Sequence, residues 1–405
     1  MKRLVLYFGI VFLFVLSIVS CSKMDGGYMM VGDSSPRSGD ADPAGGQGGA
    51  SAGVVTAGEW NDLDNWMFWS NLMLSSASED QNGNKIDFAA TCDYWGFFTN
   101  NRVAVLVQDA NQNPARGVKV SLNRNGVAVW STYTDNAGRA DCWVSLFQKD
   151  TEVDNASLSI CLDDKQVAGN PVVSKWDAEN KETMNVYTVA TAPTVKKQAD
   201  VAFIVDATGS MADEINFLKK DLLDILNRTA QAQSDVSFRT SALFYRDKGD
   251  DYVTKVSDFS SKASTTIEFI KKQNAGGGGD YPEAVHIALE TGLQKLSWSE
   301  TPCTKLAFML LDAPAHYEDS IIKSLQKSVE SYAALGIKLI PVAASGVDKS
   351  TEFMLRFFSI STGGTYVFIT NDSGVGNDHI AATVGEYKVE HLNDLMVRLI
   401  NKYTE

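Results

Sequence analysis

Basic residues are scarce in this chain. Lys and Arg number 36 against 50 Asp and Glu, the formal net charge is −14, and basic runs reach no further than pairs such as Lys196-Lys197 and Lys219-Lys220. So acidic a protein is repelled by phosphate, which excludes nucleic acid as a partner and favours divalent cations instead. Charged residues make up only 21% of the chain, and neither a disordered nor a collagen-like composition is present overall. The four histidines, His286, His316, His379 and His391, fall at no metal-ligand spacing. Gly276 to Gly279 lack the Lys and Ser/Thr of a phosphate loop and stand beside Asp280, which excludes nucleotide binding there. What the chain does have is apolar material, 44% of 405 residues, enough for two or three domains.

Met1-Lys2-Arg3 precedes an apolar run from Leu4 to Val19 and then Ser20-Cys21-Ser22. Basic flank, small residue and a length short of a stable span read as a secretory signal over residues 1–20. Ile18-Val19-Ser20-Cys21 resembles a bacterial lipobox, which implies acylation (palmitate) of Cys21 and a membrane anchor after cleavage; an uncleaved helix is the alternative. Either way the bulk lies outside the cytoplasm, in the cell envelope. The outer membrane is the expected anchor, with its periplasmic or surface face left open. Loss of Lys2 and Arg3 with the signal would leave the charge at −16. An oxidising compartment permits disulfides among Cys92, Cys142, Cys161 and Cys303. A pair between Cys142 and Cys161 is one expectation, and buried free thiols are the other.

Residues 21–58, rich in Gly, Ser, Ala, Asp and Pro, bury too little apolar surface to order themselves and read as a tether. Residues 59–101 follow, with an amphipathic helix expected from Glu59 to Leu74 whose tryptophans serve as core, packing on the next domain. Asp80, Asn82 and Asn84 mimic the start of a calcium loop, but Lys85 and Thr91 break the pattern, leaving a solvated turn. From 102 to 191, short alternating strands such as Val103 to Val107 and Val118 to Leu122 are separated by turn residues and predict a small β-sandwich. Its segments "VQDANQNPARGVKVSLNRNG" and "TDNAGRAD" resemble carboxypeptidase-regulatory-like and bacterial immunoglobulin-like modules, which implies a spacer. Over 199–405 the pattern changes again. Val201 to Val205, Leu306 to Leu311 and Ile337 to Ala343 are apolar runs without alternation, as strands buried on both faces require. Helical patterns at about 212–230, 282–296, 319–335, 350–361 and 388–402 lie between or after them. The order predicts an α/β fold, a doubly wound and mainly parallel sheet of Rossmann type, preceded by the sandwich.

Ligands in such sheets bind outside the carboxyl ends of the strands. One run ends in Asp206-Ala207-Thr208-Gly209-Ser210, another in Leu311-Asp312, and a loop reads "GGGGDYPEA". Two carboxylates and two hydroxyls make an oxygen-only set, suited to a hard cation rather than zinc. "DATGSM" resembles the first motif of the metal-ion-dependent adhesion site in von Willebrand factor A domains. The resemblance implies Mg²⁺ (or Ca²⁺ or Mn²⁺) on Asp206, Thr208, Ser210 and Asp312, with Asp280 replacing the threonine that the family usually supplies. Asp280 as the N-cap of the following helix is the alternative reading. It further implies an acidic group of a protein or glycan partner completing the metal shell, with Tyr245, Arg246, Asp247, Tyr281, His316 and Tyr317 as a selective rim. A structural or assembly subunit of an envelope or pilus complex is the competing expectation. Ser210, Asp312 and His316 carry hydrolase residue types, but the glycines of a nucleophile elbow are missing, and no enzyme is expected.

Overall fold

Two kinds of apolar pattern produce two kinds of sheet. The computed structural model describes residues 53–74, 78–79, 85–149, 152–175, 182–232, 235–374 and 381–405. The signal segment, Cys21, most of the tether and the turn from Asp80 to Asn84 lie outside them. The chain becomes regular earlier than its composition suggests. Strand β1 (Thr56–Trp60) occupies the end of the expected tether and the start of the expected helix. Helix α1 (Trp66–Leu74) starts later than expected because Asn61 makes a turn, its side chain accepting from the backbone N–H groups of Leu63 at 3.0 Å and Asp64 at 3.1 Å. After the short pair β2 (Ser78–Glu79) and β3 (Lys85–Ile86) comes α2 (Phe88–Trp95). Asp87 caps it, accepting from Ala90 N at 2.9 Å, and Gly96 ends it in the left-handed region.

Seven strands follow: β4 (Arg102–Asp109), β5 (Lys119–Arg124), β6 (Val127–Tyr133), β7 (Arg139–Trp143), β8 (Leu158–Leu162), β9 (Lys165–Gln166) and β10 (Asn185–Val189). They form a three-stranded sheet, β10-β4-β7, and a four-stranded one, β6-β5-β8-β9. Val103, Val105 and Val107 of the first sheet share a buried core with Val120, Leu122 and Ile160 of the second. Strand alternation also decides the cysteines. Cys142 points into that core from β7, whereas Cys161 on β8 alternates outward and accepts a hydrogen bond from Asn123. The expected Cys142–Cys161 pair is therefore not formed, and Cys92, Cys142, Cys161 and Cys303 are all free thiols.

The remaining elements are β11 (Gln198–Asp206), α3 (Ala212–Ala232), β12 (Ser237–Tyr245), β13 (Thr254–Ser260), α4 (Ala263–Lys271), α5 (Val285–Lys295), β14 (Thr304–Leu311), α6 (Asp319–Ala334), β15 (Ile337–Ala343), α7 (Lys349–Thr362), β16 (Tyr366–Ile369), β17 (Glu390–His391) and α8 (Leu392–Thr404). Their sheet runs β13-β12-β11-β14-β15-β16-β1-β17, with β12, β11, β14, β15 and β16 mutually parallel. Antiparallel β13 closes one edge, and β1, antiparallel to β16, extends the other. Alternate residues of the central strands feed opposite cores. Val201, Phe203 and Val205 pack with Leu222 of α3, Ile270 of α4 and Leu399 of α8. Ala202, Ile204 and Met309 pack with Leu289 of α5, Leu325 of α6 and Phe357 of α7, in a core continuous with the two small sheets. The change of fold type near residues 192–198 is thus not a gap in packing, and the described residues from 53 onward form one compact unit. A buried ion pair ties the N-terminal segment to α7. Arg356 donates to Asp62 through Nη2 at 2.6 Å and Nε at 3.0 Å. Among the described residues, no helix is long and apolar enough to cross a membrane.

Candidate metal centre

Parallel strands bring their carboxyl ends to one edge. Asp206 is the last residue of β11, and Asp312 immediately follows its neighbour β14. The chain then turns tightly through Gly209–Met211 into α3. In this turn Thr208 donates to Asp206 Oδ1 from both its backbone N at 2.9 Å and its Oγ1 at 2.7 Å, and Thr208 Oγ1 lies 3.2 Å from Ser210 Oγ. Asp206, Thr208 and Asp312 are buried, while Ser210 is exposed and opens the group to solvent. Asp206 Oδ2 and Asp312 Oδ1 are buried with no hydrogen-bond partner. Burial, followed by the nearby charge of Asp312, pushes the Asp206 carboxyl up to about 7. Burial also raises Asp312, against a hydrogen bond from Ser210 that lowers it. Such orphaned oxygens fit a hard dication, whose charge would reverse both shifts.

The glycine-rich loop closes over this edge. Gly277 and Gly278 take φ of +77° and +72°, Gly209 N donates to Gly277 O at 3.0 Å, and Gly278 N donates to Asp250 Oδ2 at 3.0 Å. A Cβ on Gly277 would stand 2.4 Å from the Asp250 carboxyl at a positive φ, so glycine is favoured here and any other residue must push that side chain aside. The loop delivers Glu283, whose backbone N donates to Pro314 O at 2.8 Å and which bridges Ala315 in parallel. That bridge delays α5 to Val285, with Ala284 at its N-cap position. Asp280 is therefore not the N-cap of the helix.

Glu283 is the residue that sequence reasoning missed. It is buried, its Oε2 has no hydrogen-bond partner, and burial followed by the charges of Asp206, Asp247, Asp312 and Asp250 pushes it up to about 9. The one available signal was its place three residues after Asp280 in the same loop. Asp280 is exposed at the tip of this loop. Among the described residues, Asp206, Asp280 and Asp312 do not form one close group of ligand atoms; Asp247, Asp280 and His316 do, within 4.8 Å of one another.

The expected rim divides. Tyr245 is buried beneath the site rather than on its rim. Arg246 is drawn inward, donating to Ala207 O at 3.0 Å and Asn274 O at 2.8 Å. Tyr281 and Tyr317 are exposed, and Tyr317 stacks on Tyr94 of α2 with ring centroids 3.8 Å apart, so the N-terminal segment extends this face. His316 Nε2 meets Asp247 Oδ1 at 2.8 Å, while Ser210 bonds within the Asp206 turn.

A mainly parallel sheet covered on both faces, with acidic and hydroxyl side chains at the carboxyl ends of its central strands, defines an α/β domain. Residues 200–339 match the family model of the von Willebrand factor A domain, which supports a domain of that kind in this part of the chain. The chain is also similar to an ariadne-like RING finger protein of Acanthamoeba polyphaga mimivirus, 29% identical over 190 residues that cover 43% of this chain and 18% of the relative. An alpha-protein kinase of Dictyostelium discoideum is 29% identical over 119 residues, covering 29% of this chain and 19% of the relative. The chain thus spans less than a fifth of the length of these curated relatives.

Proposed function

We propose that this protein is a lipid-anchored component of a bacterial cell envelope that binds a protein or glycan partner through a divalent cation on its von Willebrand factor A domain. The observation that carries the reading is the pair of buried, unpartnered oxygens, Asp206 Oδ2 and Asp312 Oδ1, beside the Thr208 and Ser210 hydroxyls. Leaving two carboxyl oxygens dry and unpaired costs stability unless something completes them. Asp206, Thr208, Ser210 and Asp312 would hold Mg²⁺, and the bound ion would offer a free coordination position to a partner's acidic group. Thr208 fixes the Asp206 carboxyl in place, and the glycine loop holds the turn that carries it, with Gly276 N donating to Ala207 O and Gly209 N to Gly277 O, each at 3.0 Å. Exposed Tyr281, Tyr317 and Tyr94 supply aromatic area beside the site, the kind of surface that anchors interfaces. The two small sheets act as a β-sandwich spacer of immunoglobulin-like or carboxypeptidase-regulatory-like kind, and Cys21 carries the anchor. The reading is a binding role, not a catalytic one.

Two measurements test it. Cells displaying the wild-type protein should bind surface ligands in Mg²⁺ and lose them in chelator, and Asp206→Ala should abolish binding with localisation unchanged. Binding that survives both treatments overturns the adhesive reading; a variant that assembles poorly but keeps its binding points instead to an assembly subunit stabilised by the ion. Labelling with palmitate should mark the wild type and not Cys21→Ala.

A further inference from the structure

We propose a second metal site on this face, formed by Asp247, Asp280 and His316 and selective for a transition-metal cation of the zinc class. Its ligand atoms all lie within 4.8 Å of one another, and His316 Nε2 and Asp247 Oδ1 are already 2.8 Å apart. Donors on one ion with bonds of about 2.1 Å are separated by about 3 to 4 Å, so small side-chain adjustments suffice.

The donor set differs from the neighbouring one in kind. One imidazole nitrogen with two carboxylates suits Zn²⁺, Co²⁺ or Mn²⁺, whereas an all-oxygen group suits Mg²⁺. Three different loops supply the ligands. Asp247 follows β12, His316 follows β14, and Asp280 comes from the glycine loop. Three protein ligands leave a coordination position open, and Asp280 is exposed, so a cation can enter from solvent.

Two further buried groups beside the cluster lack partners. Glu283 Oε2 has none, and Asp247 is among the charges acting on this carboxyl. His286 Nδ1 has none either, and His316 and Asp247 both act on its ring. Unpartnered acidic and imidazole atoms within electrostatic reach of the cluster are what a nearby cation would help to satisfy. The assignment also accounts for Asp280 grouping away from Asp206 and Asp312.

The site can be tested independently of the oxygen site. The purified full chain, stripped with chelator and held in excess Mg²⁺, is titrated with Zn²⁺ by calorimetry and with Co²⁺ by visible absorption. One equivalent of Zn²⁺ should bind, and Co²⁺ should develop ligand-field bands. His316→Ala should weaken Zn²⁺ at least tenfold and remove the bands, and Asp247→Asn should also weaken it, while both variants keep the Mg²⁺-dependent rise in melting temperature. Asp206→Asn should do the reverse, losing the Mg²⁺ response and keeping Zn²⁺. No Zn²⁺ binding by the wild type, or Zn²⁺ binding equal in His316→Ala, overturns the proposal. Loss of the Mg²⁺ response alone would count against the function proposed above and leave this site standing.

Discussion

Strand β11 carries one buried aspartate near its start, Asp200, and another at its end, Asp206, and the two are treated in opposite ways. Asp200 faces Arg239 across the β11–β12 register, accepting from its Nε at 2.9 Å and its Nη2 at 2.6 Å, and it also accepts from Ser299 N at 2.7 Å and Gln198 Nε2 at 3.1 Å. Burial alone would raise Asp200, but these hydrogen bonds outweigh it and hold the carboxyl below its usual range. Asp206, six residues on, has Thr208 donating to one oxygen, the Tyr245 hydroxyl and the Asp312 carboxyl close by, and a second oxygen without a hydrogen-bond partner. The first aspartate is completed by the protein; the second keeps an oxygen that the proposed cation would complete. Sheet and strand are the same, so the contrast belongs to the site and not to the fold.

The largest effect should come from opening the closed end. Arg239→Met strands a buried carboxylate and should cost about 3 kcal/mol in urea unfolding, the low end for a broken buried pair because the guanidinium keeps some solvent. Next comes pH at the open end. In chelator, folded Asp206 and Glu283 titrate near about 7 and about 9, well above unfolded carboxyls, so the folded state holds protons that the unfolded chain has released. Stability must therefore fall as pH rises through that window, and melting temperature should drop by several degrees from pH 6 to 9. Saturating Mg²⁺ should flatten the drop, and a drop of equal size in Mg²⁺ would remove the link between these carboxyls and a cation. Gly277→Ala should have a smaller effect on the fold, about 1 kcal/mol, because the loop can yield. Its Mg²⁺ response should weaken noticeably, and an unchanged response would mean that the loop does not shape the site.

How much of this was legible depended on how local the cause was. The continuous apolar runs of β11, β14 and β15 declared strands covered on both faces, and each is buried almost throughout. The Asp206-Thr208-Ser210 turn was equally visible, since its spacing is local. Strand β1 was not, because five residues beside a glycine-rich stretch carry little pattern and their partner β16 lies some three hundred positions away. Arg356 closing on Asp62 was hidden for the same reason. Glu283 is turned inward by its bridge to Ala315, a partner some thirty positions away that nothing in its own loop signals. The grouping of Asp280 with Asp247 and His316 depends on how three loops pack, which no spacing within one loop encodes.

The direct test of an Asp206 site completed from outside is calorimetric melting against Mg²⁺ at fixed pH, with Asp206→Asn and Asp312→Asn beside the wild type. The wild type should gain stability with the logarithm of Mg²⁺ concentration, about 2.7 kcal/mol at a hundredfold excess over Kd, and both variants should stay flat. Three parallel curves, or a wild type indifferent to Mg²⁺, would contradict it.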